Sequence, residues 1–260
     1  MNVYTTDKIR NVVLLGHSGA GKTSLVEAMA YLAGITSRMG KTDDGNTLSD
    51  YGKEEQKRNF SIATSVIPLE WEGVKINILD TPGYFDFVGE VEEAMSVADA
   101  AIIVVNGKAG MEVGTQRAWD LCEKYKMPRF IYVSGMDVDN ASYRQVVEDM
   151  TEKYGKKMAP FHLPIRENEK FVGYINVIAE QGYRWQGKEV VPCDIPDYNQ
   201  ANLQICRETL LESVAETSEE MMDRYFSGEE FSEAEIRASL KYNVWDGSIV
   251  PMSMGSNTLC

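Results

Sequence analysis

Histidine is almost missing from this sequence. His17 and His162 are the only two, which excludes a histidine-rich metal site. Cysteine is scarce as well. Cys122, Cys193, Cys206 and Cys260 share no C-x-x-C spacing and no histidine partners. They read as free thiols in a reducing cytoplasm, not as a disulfide framework or a zinc site. Basic charge is in deficit: 26 Lys and Arg against 40 Asp and Glu leave a formal net charge of −14. Proteins that bind nucleic-acid backbones neutralise phosphates with clustered Lys and Arg, so free DNA is not an expected partner. Docking on a ribonucleoprotein through a local patch or a protein partner stays open. No apolar run approaches the length of a membrane-spanning helix. The opening Met1-Asn2-Val3-Tyr4-Thr5 lacks the charged-then-apolar layout of a signal peptide. No membrane association is therefore expected, and no internal repeat or low-complexity tract is visible.

What is present is more telling. The 260 residues, 43% of them apolar, suit one large domain or one domain with a substantial insertion. The run Gly16-His17-Ser18-Gly19-Ala20-Gly21-Lys22-Thr23 fits G-x-x-x-x-G-K-[ST], the phosphate-binding loop. Its context fits too. Val12–Leu15 reads as a buried strand, and Ser24 onward reads as a helix with Leu25, Ala28, Met29 and Leu32 on one face. Glycines let successive N–H groups turn toward phosphate oxygens, and the helix N-terminus adds a positive end beneath them. Lys22 can reach the outer phosphates, and the Thr23 hydroxyl can ligate Mg²⁺. A second motif, Asp80-Thr81-Pro82-Gly83, follows the apolar run Val74–Leu79. A carboxylate at a strand end can hold Mg²⁺ through water, and Gly83 lets its N–H approach a γ-phosphate closely.

A βα rhythm organises the first part of the chain. The helix near 24–33 closes at Gly34. A polar stretch from Thr36 to Asn59 follows, long for a loop and hence functional or mobile. Ile62–Trp71 and Val74–Leu79 form a hairpin across Glu72-Gly73. Val88, Val91, Met95 and Ala98 mark a helix, and Ala101–Val105 a buried strand. A further helix carries Ala118, Leu121, Cys122 and Tyr125 and stops before Pro128. Phe130–Val133 is a strand, and a helix from Tyr143 ends at Gly155. Apolar strands alternating with amphipathic helices predict a three-layer α/β fold, a mostly parallel sheet covered on both faces. The pattern changes after Lys157. Phe161–Ile165, Phe171–Ile178 and Tyr183–Val191 predict short antiparallel strands. A long helix follows with Leu203, Cys206, Leu210 and Val214 on one face. Thr217-x-x-Glu220 and Ser232-x-x-Glu235 are capping-box patterns. Ile249–Met252 resumes the earlier style. The expected organisation is a nucleotide-binding domain of 1–157 plus 249–260 with an inserted α+β subdomain at 158–248, whose acidic helices read as solvated faces, with partner binding as the alternative.

These motifs resemble the nucleotide-binding domain of elongation factor G and its translational GTPase relatives. Asp80-Thr81-Pro82-Gly83-Tyr84-Phe85-Asp86-Phe87 is similar to the family's D-T-P-G-H-x-D-F. Gly107-Lys108-Ala109-Gly110-Met111-Glu112 resembles its helix-leading segment, and Gly255-Ser256-Asn257 its G-S-A base-contact loop. The inserted region resembles the family's subdomain, with Val214-Ala215-Glu216 through Met221 fitting a helix there. The resemblance spans essentially the whole chain but only the first domain of that family, so the chain reads as a piece of a longer protein. It implies a P-loop GTPase that binds GTP or GDP with Mg²⁺ and works with the ribosome in the cytoplasm. Phosphates would be held by His17, Ser18, Gly19, Ala20, Gly21, Lys22, Thr23 and Ser24. Arg58-Asn59-Phe60-Ser61 stands where the family has R-G-I-T, so Ser61 would join Thr23 and Asp80 around the metal. The 36–59 stretch would then be a switch ordered by γ-phosphate.

Three departures qualify the resemblance. Tyr84 replaces the histidine that positions attacking water. A phenol is protonated at neutral pH and is a poor base, so slow or partner-dependent hydrolysis is expected, with Gly83 and Lys22 still stabilising charge. Ser134-Gly135-Met136-Asp137 replaces N-K-x-D. Asp137 can still accept from the ring N–H and amino group of guanine, with Ser134, Ser256 and Asn257 nearby, but the lysine stem and asparagine amide are lost. Gly19 stands where many relatives carry Asp, which puts a second cation in doubt. A non-hydrolysing GTP/GDP switch and a ribosomal protection factor remain alternatives; an ATP-using P-loop kinase fits Asp137 and the D-T-P-G run poorly.

Overall fold

The computed structural model describes residues 2–186 and 189–258, and the chain packs as two compact units. One comprises 1–106, 112–127 and 257–260; the other comprises 107–111 and 128–256. Functional expectation divides the chain elsewhere, at 157/158 and 248/249. Cys193 and Cys206 are free thiols, Cys122 is buried, and Cys260 lies outside the described residues.

The first unit holds β1 (Ile9–Leu15), α1 (Lys22–Leu32), α2 (Lys53–Arg58), β2 (Ser65–Trp71), β3 (Val74–Asp80), α3 (Val88–Val97), β4 (Ala100–Asn106) and α4 (Val113–Tyr125). Its strands run in the order β2-β3-β1-β4. β1 is parallel to β3 and β4, and Leu14 pairs with both Asp80 and Ile102. β2 returns antiparallel on β3, through a turn in which Glu72 and Gly73 both have positive φ (46° and 79°), as a tight type I′ hairpin requires. Leu14, Val26, Ala30, Leu69 and Ile78 meet in a buried cluster between α1 and the sheet. Burying Leu14, Val26, Leu69 and Ile78 contributes about 1.5–3 kcal/mol each and fixes the loop that joins β1 to α1. Two expectations shift. α3 turns Ala94 and Met95 to the core and leaves Val88 exposed, and Tyr125 at the end of α4 is exposed as well. The 36–59 stretch carries a helix, α2, and is pinned by buried carboxylates.

The second unit contains β5 (Arg129–Ser134), α5 (Tyr143–Tyr154), β6 (Met158–Pro160), β7 (His162–Glu167), β8 (Lys170–Asn176), β9 (Gln181–Gln186), β10 (Glu189–Cys193), α6 (Gln200–Ala215), α7 (Glu219–Phe226), α8 (Glu233–Asn243) and β11 (Val250–Met254). β5, β11 and β6 form a parallel set. β10-β9-β8-β7 form an antiparallel sheet. The expected strand 183–191 is two strands, with Gln186 paired to Glu189. β6 lies parallel to β11, outside the antiparallel set. Leu203, Cys206, Leu210 and Val214 are buried on α6 as their spacing requires. The helix expected through Met221 breaks after Ala215. Ser218 adopts an extended conformation and its hydroxyl accepts the Met221 N–H, opening α7 one residue later than the Thr217 pattern predicts. Ser232 and Glu235 do form the capping box of α8.

Candidate phosphate-binding site

The loop between β1 and α1 can close tightly because of Gly16. It has φ +140°, and a Cβ there would sit 2.3 Å from the Val104 carbonyl oxygen, so any other residue would push the loop off β4. Lys22 begins α1 as a buried side chain. Its Nζ donates to the carbonyls of Gly16 and His17 at 3.1 Å each. Burial pulls its pKa down to about 8, opposed by the charges of Asp80 and Asp50. Gly83 lies directly over this ammonium: a Cβ would come 2.6 Å from Lys22 Nζ and 2.7 Å from the Ser18 N. The ends of two parallel strands, β1 and β3, thus bring both phosphate motifs together.

The three expected metal residues also meet. Thr23 Oγ1 donates to Asp80 Oδ2 at 2.8 Å and lies 3.3 Å from Ser61 Oγ. Burial raises Asp80 to about 6, against the lowering effects of its hydroxyl partners and of Lys22. Asp80 Oδ1 is buried without a hydrogen-bond partner. Such an atom is costly unless something ligates it. Two hydroxyls and a carboxylate with a spare oxygen suit Mg²⁺, a hard cation that keeps several waters and is completed by phosphate oxygens. Among the described residues no group of three or more His, Cys, Asp or Glu could hold a metal ion.

A cavity of about 310 Å³ opens over this cluster, lined by Ser18, Lys22, Thr23, Asp50, Arg58 and Tyr84 among others. No motif in the sequence marks Asp50, yet it is buried with an unpartnered Oδ1, and burial raises its pKa. Nor does spacing give Arg58 a role of its own. Ser24 and Gly19 border the same cavity, and Ala20 donates its N–H to the His17 carbonyl. The His17 ring points to the start of α4, accepting the Gly114 N–H at Nδ1. Asn257 Nδ2 donates to the Gly21 carbonyl at 3.0 Å. Tyr84 is 44% exposed, and its ring packs on Phe60.

In the other unit, the turns after β5 and β11 and the segment that starts at Gly107 are laced by backbone hydrogen bonds. The Gly107 N–H donates to Ser134, the Met136 N–H to Gly255 and the Gly255 N–H to Val133. Ser134 is buried, and Asp137 and Ser256 are partly exposed on these turns.

A strand–loop–helix closed over a buried lysine, with a second carboxylate motif beside it, defines a P-loop nucleotide-binding α/β domain. The chain belongs to the family described as the elongation factor Tu GTP binding domain, whose model matches residues 7–256. It is 32% identical over 253 residues to elongation factor G 1 of Syntrophomonas wolfei, covering 96% of this chain and 38% of that protein. It is 35% identical over 258 residues to elongation factor G of Neorickettsia sennetsu, covering 96% and 37%. A crystal structure from Thermus thermophilus superposes with a TM-score of 0.88 at 35% identity, covering 96% of this chain and 38% of that one. The chain therefore spans a little over a third of the length of these relatives. Among the described residues no helix is long and apolar enough to cross a membrane.

Proposed function

We propose that this chain binds GTP and GDP and forms the nucleotide-hydrolysing part of a ribosome-associated translational GTPase of the elongation factor G type, acting in the cytoplasm. The observation that carries this reading is the meeting of Thr23, Ser61 and Asp80 beside the buried Lys22. On it, residues 1–157 and 249–260 are the nucleotide-binding part and 158–248 the inserted subdomain. The amides of 19–24 and Lys22 hold the phosphates. Thr23, Ser61 and, through water, Asp80 hold Mg²⁺, which when bound neutralises charge on the outer phosphates. The Gly83 N–H contacts the γ-phosphate. Asp137 accepts from guanine, with Ser134, Ser256 and Asn257 around the base. Tyr84 stands beside the attacking water as a hydrogen-bonding group, so hydrolysis is slow without a partner. Its packing on Phe60 favours one second reading, a GTP/GDP switch in which turnover is negligible.

Calorimetry with GDP, GTP and ATP in the presence of Mg²⁺ tests the binding. Tight guanine-nucleotide binding and weak ATP binding are expected; equal displacement of GDP by GTP and ATP would refute the role given to Asp137. Phosphate release by the full-length protein with and without ribosomes separates the enzyme from the silent switch.

A further inference from the structure

The turn that carries Asp137 is gripped by a side chain from the antiparallel sheet. Arg166 lies in β7 where the pairing with β8 shifts register between Ile165 and Arg166. The extra residue, Val172, belongs to β8, so β7 keeps its regular alternation and turns Arg166 away from the face that buries Ile165. Ile165 stays fully buried, while the Arg166 guanidinium reaches the base-side turn. Its Nη2 donates to the Met136 carbonyl at 2.5 Å, and its Nη1 donates to the Glu169 carbonyl at 3.3 Å. The arginine is itself held in place. Tyr198 Oη donates to the Arg166 carbonyl at 2.6 Å, and Asn199 Nδ2 donates to the Pro164 carbonyl at 3.0 Å.

The Met136 carbonyl belongs to the same peptide plane as the Asp137 N–H. Because that plane is rigid, a charge-assisted hydrogen bond on the carbonyl fixes the direction in which the Asp137 backbone leaves it. The other side of Met136 is fixed by its N–H bond to Gly255 and by its fully buried side chain. We propose that Arg166 is a positioning residue for base recognition: it locks the Met136–Asp137 peptide and so aims the Asp137 carboxylate. The proposal rests on the reading of Asp137 as the guanine acceptor. It makes base affinity depend on the fold of the β7–β8 hairpin, in a turn that has Gly135 where the family pattern places a lysine.

The test measures dissociation constants of GDP and inorganic pyrophosphate for the wild-type chain, Arg166→Gln, Arg166→Lys, Asp137→Asn and the double variant Asp137→Asn/Arg166→Gln. Arg166→Gln is expected to weaken GDP about tenfold and to leave pyrophosphate unchanged, which also reports that the phosphate loop is intact. Arg166→Lys, with a single point charge in place of the fork, should lose less. In the Asp137→Asn background the arginine change should add nothing, since coupled residues are not additive. If Asp137→Asn leaves GDP affinity unchanged, the guanine reading itself falls, and the proposal with it. If Asp137→Asn weakens GDP but Arg166→Gln does not, or weakens pyrophosphate equally, or adds its full effect in the double variant, the positioning role is overturned while the guanine reading stands.

Discussion

The ring of Tyr84 lies 4.7 Å from that of Phe60, tilted by 58°. One residue stands where the family pattern has a histidine and the other in the segment that carries Ser61, so the proposed catalytic position is held by an aromatic neighbour that differs from the family pattern as well. Aromatic pairs of this kind contribute about 0.5–1.5 kcal/mol beyond their buried area, enough to favour one placement of the phenol. Tyr84→His should raise ribosome-stimulated GTP turnover by the full-length protein about 100-fold, the lower end of what a positioned acid–base group supplies. Single-turnover phosphate release measures this. An unchanged rate would mean that position 84 does not limit the chemistry.

Gly83→Ala should separate GTP from GDP. The added carbon would meet the backbone of Ser18 at 2.7 Å as well as the Lys22 ammonium, and backbone yields less readily than a side-chain tip. Overpacking of this kind costs about 1–3 kcal/mol, and the proposed γ-phosphate contact lies at the same point. Affinity for a non-hydrolysable GTP analogue should fall about ten- to a hundredfold while GDP affinity falls much less. Equal losses for the two nucleotides would remove Gly83 from γ-phosphate sensing.

The strands and helices around the phosphate loop are legible in the sequence because each carries a period of apolar residues. The Lys22, Thr23 and Asp80 cluster is legible because Asp80 ends β3 while the loop leading to Lys22 and Thr23 leaves the adjacent parallel strand β1, so motif spacing fixes their meeting. Asp50 is not: a lone carboxylate in a polar stretch carries no periodic signal, and only folding places it beside Ser61 and Lys22. The same holds for Arg166, whose partner Met136 lies 30 residues away in the chain, a meeting that no local pattern announces. The helix break before Ser218 falls one residue from its expected place because Thr217 and Ser218 are both competent caps, and packing decides between them.

The stretch between α1 and β2 owes its order to two glutamates that act as backbone acceptors. Glu27 is buried and accepts the N–H groups of Gly40, at 2.7 Å, and Leu48. Glu55 accepts those of Gly52, Ile62 and Ala63. Glu27→Ala would leave two amides without their acceptor, a loss of about 2–4 kcal/mol in denaturant unfolding. Amide exchange at Gly40 and Leu48 should accelerate selectively, ahead of the β-sheet. Unaltered protection at both positions would show that other contacts order the segment.

His162 makes stability depend on acidity. Its ring meets that of Phe161 at a tilt and that of Tyr174 edge-on, at centroid distances of 4.4 and 4.9 Å, and its Nδ1 lies 2.8 Å from Ser253 Oγ. Burial lowers its pKa from 6.5 to about 4. Between those values the unfolded chain takes up a proton that the folded protein refuses. Stability from the neutral ring is therefore complete above about pH 6.5 and is lost as pH falls toward about 4, by at most about 3 kcal/mol. His162→Gln removes the titration. The stability difference between wild type and variant, followed by urea unfolding in steps from about pH 7 to about pH 4, should shift against the wild type across that window and level off beyond it. A difference that stays constant with pH would mean that the ring is protonated as readily in the folded protein as in the unfolded chain.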